Sequence, residues 1–162
     1  MKLSQKIGVV GRGFVGSAVE FGFSPNVGCD AEVKVFDVNP NRSLNTLEET
    51  VQSSDFIFLS VPTPSNQDGS INIDILDDAL NSIQMVSDKE NAILIRSTIT
   101  PGTTRKLQNK YNNLNLLFNP EFLTERSAKF DFINQSRFII GNSGKTLNRY
   151  YSENLAELFR NR

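Results

Sequence analysis

Residues 11–16 read Gly11-Arg12-Gly13-Phe14-Val15-Gly16, a G-x-G-x-x-G pattern that comes directly after the apolar run 7–10. A short apolar run that ends in glycines is typical of a buried strand. Residues 14–23 then carry apolar side chains at helical spacing, and Pro25 ends the pattern. In such a turn the first glycine permits tight bending, the second a close ligand approach, and the third close helix–strand packing. We therefore predict a strand, a turn that can hold a pyrophosphate, and a helix whose N-terminal amides face it.

An acidic residue follows at the distance that dinucleotide binding requires. Asp37 ends the predicted second strand, about twenty residues beyond Gly16. A carboxylate at this place accepts hydrogen bonds from the adenosine ribose of NAD and repels the additional phosphate of NADP. In the competing interpretation, Asp37 only caps a turn and the glycines only permit packing. We predict that NAD is the cofactor.

The rest of the chain repeats the order of strand and helix. Apolar runs predict strands at residues 7–10, 33–37, 56–61, 92–95, 114–118 and 138–140. Spacing and capping residues predict helices at 14–23, 46–53, from about 73 to 86, 101–111, 124–130 and from about 145 onward. Because the strands are continuously apolar, both sheet faces should be covered. This predicts an α/β class, Rossmann-type fold: a doubly wound, mainly parallel six-stranded sheet with helices on both faces.

The composition excludes several classes of function. The 162 residues, one domain's length, include 17 Lys and Arg against 18 Asp and Glu, so no basic excess suggests nucleic acid or an anionic membrane as partner. Histidine is absent, which excludes an imidazole base within this chain. A single cysteine, Cys29, excludes an internal disulfide and a cysteine-rich zinc site, and we predict no metal. The polar N-terminus and the lack of a long apolar run lead us to expect a cytoplasmic protein.

Polar loops follow three of the later strands, at the edge where ligands bind in a doubly wound sheet. Residues 61–65 read V-P-T-P-S, residues 96–104 read R-S-T-I-T-P-G-T-T, and residues 119–125 read N-P-E-F-L-T-E. The three loops are rich in hydroxyl groups, prolines and acids. They are therefore candidates for contacts with a cofactor and a substrate.

Together these segments resemble the N-terminal NAD-binding domain of the UDP-glucose/GDP-mannose dehydrogenase family. The matching pieces are the glycine turn, V-P-T-P with a following D-G, S-T-x-x-P-G-T-T, N-P-E-F-L, and then Ala128, Asp131-Phe132 and R-F-I-I-G at 137–141. They occur in the family's order and span nearly the whole chain. The resemblance implies an NAD-dependent, two-step oxidation of a nucleotide sugar, such as UDP-glucose, from the C6 alcohol of the hexose to the carboxylate.

The resemblance also implies roles for matching residues. Glu121 stands where the family has a catalytic glutamate, an acid–base group in the step that consumes water, and Thr98 would help to position that water. Arg42 takes the place of a basic residue near the adenosine. The implied NAD-binding residues are Gly11, Arg12, Gly13, Phe14, Val15, Gly16, Asp37, Arg42, Val61, Thr63, Pro64, Ser97, Thr98 and Glu125. The implied substrate-binding residues are Glu121, Phe122, Leu123, Thr124 and Glu125.

Each of these roles has a plainer alternative. By residue type alone, Glu121 is a solvated loop acid or a helix cap, Thr98 a strand-end hydroxyl group, and Arg42 an exposed loop residue. A stand-alone NAD-binding or partner-docking module without catalysis would also use the glycine turn. A β-hydroxyacid dehydrogenase-type domain shares the early strands, but N-P-E-F-L argues against it.

The chain departs from the family pattern in three places. The family's cysteine nucleophile lies in a downstream glycine-rich segment, and Cys29, at the amino end of the sheet, does not replace it. The segment between Asp37 and Phe56 is short, and Arg126 stands where the family often has a small residue. We expect residues 1–162 to form the NAD-binding domain, without the central helix and C-terminal substrate domain. That domain or another copy of the chain would dock on an apolar patch of the final helix, formed by Tyr150, Tyr151, Leu155 and Leu158.

We expect the 162-residue chain alone not to oxidise UDP-glucose to the acid, because it lacks the thiolate that would hold the aldehyde as a covalent adduct. The measurement is the absorbance of NADH after the purified chain is mixed with NAD and UDP-glucose. Turnover at the rate of an ordinary enzyme, on the order of 1 s⁻¹ or faster, would contradict this expectation.

Overall fold

One twisted sheet organises the computed structural model of the chain, which describes residues 5–29 and 31–160. The polar N-terminus discussed above lies largely outside these residues. The strands are β1 (Lys6–Val10), β2 (Glu32–Phe36), β3 (Phe56–Leu59), β4 (Ala92–Ile95), β5 (Asn115–Phe118) and β6 (Gly141–Asn142). Their order is β2-β1-β3-β4-β5-β6, and β1 to β5 are parallel while β6 is antiparallel to β5. The predicted doubly wound, mainly parallel sheet is confirmed.

Helices connect the strands and cover the sheet. They are α1 (Phe14–Gly22), α2 (Leu47–Ser53), α3 (Asp74–Val86), α4 (Thr103–Lys110), α5 (Ala128–Asn134) and α6 (Thr146–Arg160). The start of α2 shows why the sequence folds this way locally. The amide of Glu49 donates to Oγ1 of Thr46 at 3.1 Å, and the amide of Thr46 donates to Oε2 of Glu49 at 2.8 Å. This reciprocal capping satisfies amides that a helix N-terminus otherwise leaves unpaired.

Two apolar cores lie on opposite faces of the sheet, because alternate residues of each strand point to opposite sides. In β3, Phe56 and Phe58 contribute to one core and Ile57 and Leu59 to the other. Helices α1, α5 and α6 pack on the first face, and α2, α3 and α4 pack on the second. Both faces are therefore dry, as the continuously apolar strands predict.

Two predicted elements differ from the structure near the end of the chain. The helix predicted at 124–130 begins only at Ala128, because the carboxylate of Asp131 binds the amide and hydroxyl of Thr124 and the hydroxyl of Ser127. These bonds hold residues 124–127 in a turn. The strand predicted at 138–140 pairs instead at 141–142, and the carbonyl of Ile139 accepts a side-chain bond from Asn119 at 2.8 Å.

The prediction of an exposed apolar patch on the final helix is wrong. Leu155 and Leu158 are buried, and they pack in the same core as Phe23 and Phe132. Helix α6 therefore uses its apolar face to cover its own sheet, and of the four predicted residues Tyr150 alone is largely exposed. No helix among the described residues combines the length and the apolar character that crossing a membrane requires.

Substitution of Phe132 by alanine should lower the free energy of unfolding by about 3–5 kcal/mol, because it leaves a cavity among buried aromatic rings. Phe130 lies on the same helix, but it is 68% exposed where Phe132 is 0% exposed. The matched variant Phe130→Ala should change stability by less than about 1 kcal/mol. Urea unfolding of the two variants measures the difference, and equal losses would contradict the packing described above.

Candidate functional site

A cavity of about 840 Å³ opens at the carboxyl ends of the central strands. The chain leaves β1 to form β2 on one side and then crosses to β3 on the other, so the strand order reverses between β1 and β3. Ligands bind outside the strand ends at such a reversal. The cavity wall brings together eleven residues that the sequence singles out: Gly11, Gly13, Phe14, Val15, Asp37, Arg42, Val61, Thr63, Ser97, Thr98 and Glu121.

The three glycines of the first turn are needed for different physical reasons. Gly11 has a φ of 92°, and a Cβ atom there would lie 2.4 Å from the carbonyl oxygen of Ser60. A Cβ atom at Gly16 would lie 1.9 Å from the carbonyl oxygen of Gly11. At Gly13, by contrast, a Cβ atom would meet nothing within 4 Å. Gly11 and Gly16 are therefore required by packing, whereas the space in front of Gly13 is available to a ligand.

Helix α1 begins at this open space. Gly13 precedes its first residue, and both Phe14 and Val15 line the cavity. The first amides of a helix have no partner within the helix, and the helix dipole places partial positive charge there. A pyrophosphate fits this arrangement because backbone N–H groups can approach it without a side chain in the way.

Asp37 is held at the rim of the cavity by backbone amides. The amide of Arg12 donates to Oδ2 at 2.6 Å, and the amide of Asn39 donates to Oδ1 at 2.8 Å. Each carboxylate oxygen can accept a further hydrogen bond. The carboxylate is thus directed toward the glycine turn, with the acceptors that ribose hydroxyl groups require.

The side chain of Arg12 turns away from the cavity and along α1. Its Nε and Nη2 donate to the two carboxylate oxygens of Glu20, each at 2.7 Å, and its Nη1 donates to the carbonyl of Arg42 at 3.1 Å. The hydrogen bond to Glu20 raises the pKa of Arg12 above its ordinary value, against partial burial, and the charge of Asp37 adds to this effect. Arg12 therefore presents its amide to the site and uses its guanidinium to join α1 to the loop after β2.

The loops after β3 and β4 are joined by two hydroxyl groups. Oγ of Ser97 donates to the carbonyl of Val61 at 2.6 Å, and Oγ1 of Thr63 donates to the carbonyl of Thr98 at 2.7 Å. These bonds run in opposite directions between the two loops and hold their backbones in register. Thr98 is exposed and lines the cavity, so it is accessible to a ligand there.

Glu121 reaches the same cavity from the loop after β5. The amide of Leu123 donates to its Oε2 at 2.7 Å, which orients the carboxyl group. Beyond it the loop leaves the cavity toward α5, where hydrogen bonds from the amide and hydroxyl of Thr124 and the hydroxyl of Ser127 lower the pKa of Asp131.

Seven of the residues singled out from the sequence are not part of this cavity wall in the described chain: Arg12, Gly16, Pro64, Phe122, Leu123, Thr124 and Glu125.

The structure adds a wall that sequence reasoning did not identify. Ile75, Asp78, Ala79 and Ser82 of α3 line the cavity, and they follow the i, i+3, i+4, i+7 spacing of one helix face. This face lies beside the buried stripe that contains Leu76 and Leu80. The sequence signal that could have identified this wall is a second set of residues at helical spacing, shifted by one position from the buried apolar set.

Arg96 is a second residue that the sequence reasoning passed over. It is buried at the end of β4, it lies 6.0 Å from the ring centre of Phe58 and 5.5 Å from that of Phe132, and its Nη1 donates to Oδ1 of Asn119. Asn119 in turn donates to the carbonyl of Ile139. This chain of contacts joins the loop that carries Thr98 to the loop that carries Glu121. The sequence signal that could have identified Arg96 is a charged residue at the end of an otherwise apolar strand.

The sequence of this chain is similar to those of known dehydrogenases. Residues 41–161 match the model of the UDP-glucose/GDP-mannose dehydrogenase family, NAD binding domain. The UDP-glucose 6-dehydrogenase of Campylobacter jejuni is 29% identical over an alignment that covers 93% of this chain and 46% of that protein. This alignment extends beyond the family match, which begins after the glycine turn and Asp37.

Solved structures show the same fold. A UDP-glucose dehydrogenase from Pyrobaculum islandicum superposes with a TM-score of 0.76 at 24% identity, covering 91% of this chain and 43% of that one. A GDP-mannose dehydrogenase from Pseudomonas aeruginosa, solved as a ternary complex, gives a TM-score of 0.78 at 21% identity, covering 96% and 44%. The chain therefore spans less than half the length of these relatives.

Substitution of Gly13 by alanine should weaken NAD binding by at least about tenfold, because the added methyl group would enter the space in front of the α1 amides. It should change the free energy of unfolding by less than about 1 kcal/mol, since nothing lies within 4 Å of the new atom. Titration of NADH fluorescence and urea unfolding measure the two effects.

The matched variant Gly16→Ala should mainly lower the free energy of unfolding, because its methyl group would overlap the carbonyl oxygen of Gly11. If Gly13→Ala binds NADH as tightly as the unchanged chain, the pyrophosphate does not lie at this turn.

Proposed function

The chain belongs to the UDP-glucose/GDP-mannose dehydrogenase family, and we propose that it supplies the NAD-binding half of a nucleotide-sugar 6-dehydrogenase. One observation carries the proposal: the glycine turn, Asp37 and Glu121 lie on the wall of a single cavity. The first two fit a dinucleotide, and the third adds an acid–base group at the same place. A module that only binds NAD has no need of that group.

The residues of this chain would divide the cofactor between them. The amides at the start of α1 bind the pyrophosphate, and the carboxylate of Asp37 binds the adenosine ribose. The joined loops that contain Val61 and Ser97 hold the nicotinamide half. Bound NAD supplies the hydride acceptor for the C6 carbon of the sugar. Because hydride transfer requires contact between the two carbons, rigid loops at this end of the cavity support the reaction.

Glu121 would handle protons in the step that consumes water. Oxidation of an alcohol to a carboxylate removes two hydrides and adds one water molecule, so a base must accept a proton as the water attacks. The bond from Leu123 holds the carboxyl group of Glu121 in place through Oε2, and the carboxylate keeps free lone pairs that can accept this proton. The exposed hydroxyl of Thr98, on the same wall, would orient the water.

The substrate and the remaining protein are the finer parts of the proposal. Residues 122–125 would run along a nucleotide sugar of the UDP-glucose or GDP-mannose type, with Glu125 near the nicotinamide. The chain spans less than half the length of its relatives, so we propose that a further domain supplies the thiolate and the rest of the sugar cleft. We place the reaction in the cytoplasm, as a supply of acidic sugar nucleotides for polysaccharide synthesis.

Binding of nucleotide sugars by the NADH-loaded chain tests the proposal. We expect UDP-glucose or GDP-mannose to show saturation transfer in NMR spectra, and the variant Phe122→Ala to reduce the transfer at least about threefold. Phe122 is 52% exposed in the candidate substrate loop, and Phe130→Ala is the matched control because Phe130 is 68% exposed on α5, outside that loop.

Each outcome has a distinct meaning. Binding that Phe122→Ala weakens and Phe130→Ala leaves unchanged supports the dehydrogenase. A chain that binds NADH but neither nucleotide sugar supports the stand-alone module instead.

A further inference from the structure

An ion pair stands beside the ribose end of the NAD site. The guanidinium of Arg12 and the carboxylate of Glu20 meet through two parallel hydrogen bonds, both 2.7 Å long. Neither side chain is fully exposed: 27% of the Arg12 side chain and 24% of the Glu20 side chain are accessible. The pair is thus a geometrically defined contact rather than a loose surface encounter.

The position of Arg12 ties this pair to the ribose carboxylate. The backbone amide of Arg12 donates to Oδ2 of Asp37, so the arginine side chain starts next to that carboxylate. Its Nη1 then reaches the carbonyl of Arg42, a residue of the cavity wall. The guanidinium therefore lies between α1 and the loop after β2, within electrostatic range of Asp37.

Three charges meet at this corner. Arg12 is the cation, and Glu20 and Asp37 are the anions that act on it. A planar guanidinium binds phosphate oxygens through the same paired hydrogen bonds with which it binds a carboxylate. The phosphate that distinguishes NADP from NAD is attached to the ribose that Asp37 serves. Glu20 therefore occupies the donors that such a phosphate would use.

We propose that Glu20 is a specificity-determining residue, which keeps the guanidinium of Arg12 from binding the 2′-phosphate of NADP. Asp37 repels that phosphate directly, and Glu20 removes the cation that would otherwise attract it. Preference for NAD at this site thus depends on two carboxylates, of which Glu20 lies outside the cavity wall. The inference rests on the NAD site described above.

Binding of NADH and NADPH to a set of variants tests the inference. Asp37→Asn should weaken NADH binding and allow weak NADPH binding. Adding Glu20→Gln should tighten NADPH binding about tenfold further, the size of one charged hydrogen bond, and change NADH binding less than about threefold. Because the gain is electrostatic, it should shrink as salt is added.

A third substitution isolates the cation. Arg12→Met keeps the backbone amide that holds Asp37 and removes the guanidinium, so Glu20→Gln should bring no gain for NADPH when it is combined with Arg12→Met and Asp37→Asn. Glu153→Gln in the Asp37→Asn background is the matched control, because it breaks an ion pair with Arg149 on α6, which contributes no residue to the cavity wall.

Two results would overturn the inference. One is NADPH binding that Glu20→Gln leaves unchanged, and the other is a gain that persists without the guanidinium of Arg12. Should the double variant fail to fold, Glu20→Gln alone should bind 2′,5′-ADP about threefold tighter than the unchanged chain and bind AMP equally. An unchanged chain that binds neither NADH nor NADPH would instead refute the NAD site itself.

Discussion

The close approach of two backbone segments at the strand ends is the constraint on which the site depends. The turn after β1 lies so near the loop after β3 that a Cβ atom at Gly11 would overlap the carbonyl oxygen of Ser60. This proximity exists because β1 and β3 are parallel neighbours whose carboxyl ends meet at one edge. As a result α1 can start over the middle of the sheet, with its first amides facing the cavity.

Bonds between neighbouring loops then turn this edge into a defined wall. The amide of Arg12 holds Asp37, Ser97 holds the carbonyl of Val61, and Arg96 holds Asn119 two residues before Glu121. Each bond joins loops that follow different strands. Because the strands are fixed by two dry cores, these loops have rigid ends, and a wall built this way needs little rearrangement to accept a ligand. The geometry suits a reaction that depends on orientation more than on many catalytic groups.

Most of the fold could be predicted from the sequence because its signals are local. Continuously apolar strands predicted two covered faces, and the glycine turn and Asp37 predicted NAD as the cofactor, in agreement with the family to which the chain belongs. The errors arose where long-range contacts decide. Asp131 delays the start of α5 by binding residues 124–127. Leu155 and Leu158 are buried because α6 packs against the sheet. Helical spacing alone places these two residues on an apolar face but does not indicate what that face covers.

The order of strands and helices, the type of the first turn and the family follow from the chain's own pattern, because backbone sterics and apolar periodicity act between near neighbours. Which side chains share the cavity does not follow from it. The α3 face at Ile75, the bond from Arg12 to the carbonyl of Arg42 and the Arg96–Asn119 contact join elements that are distant along the chain. Only the packing of the finished sheet brings such groups within hydrogen-bond distance, since their separation depends on strand order and helix placement rather than on spacing.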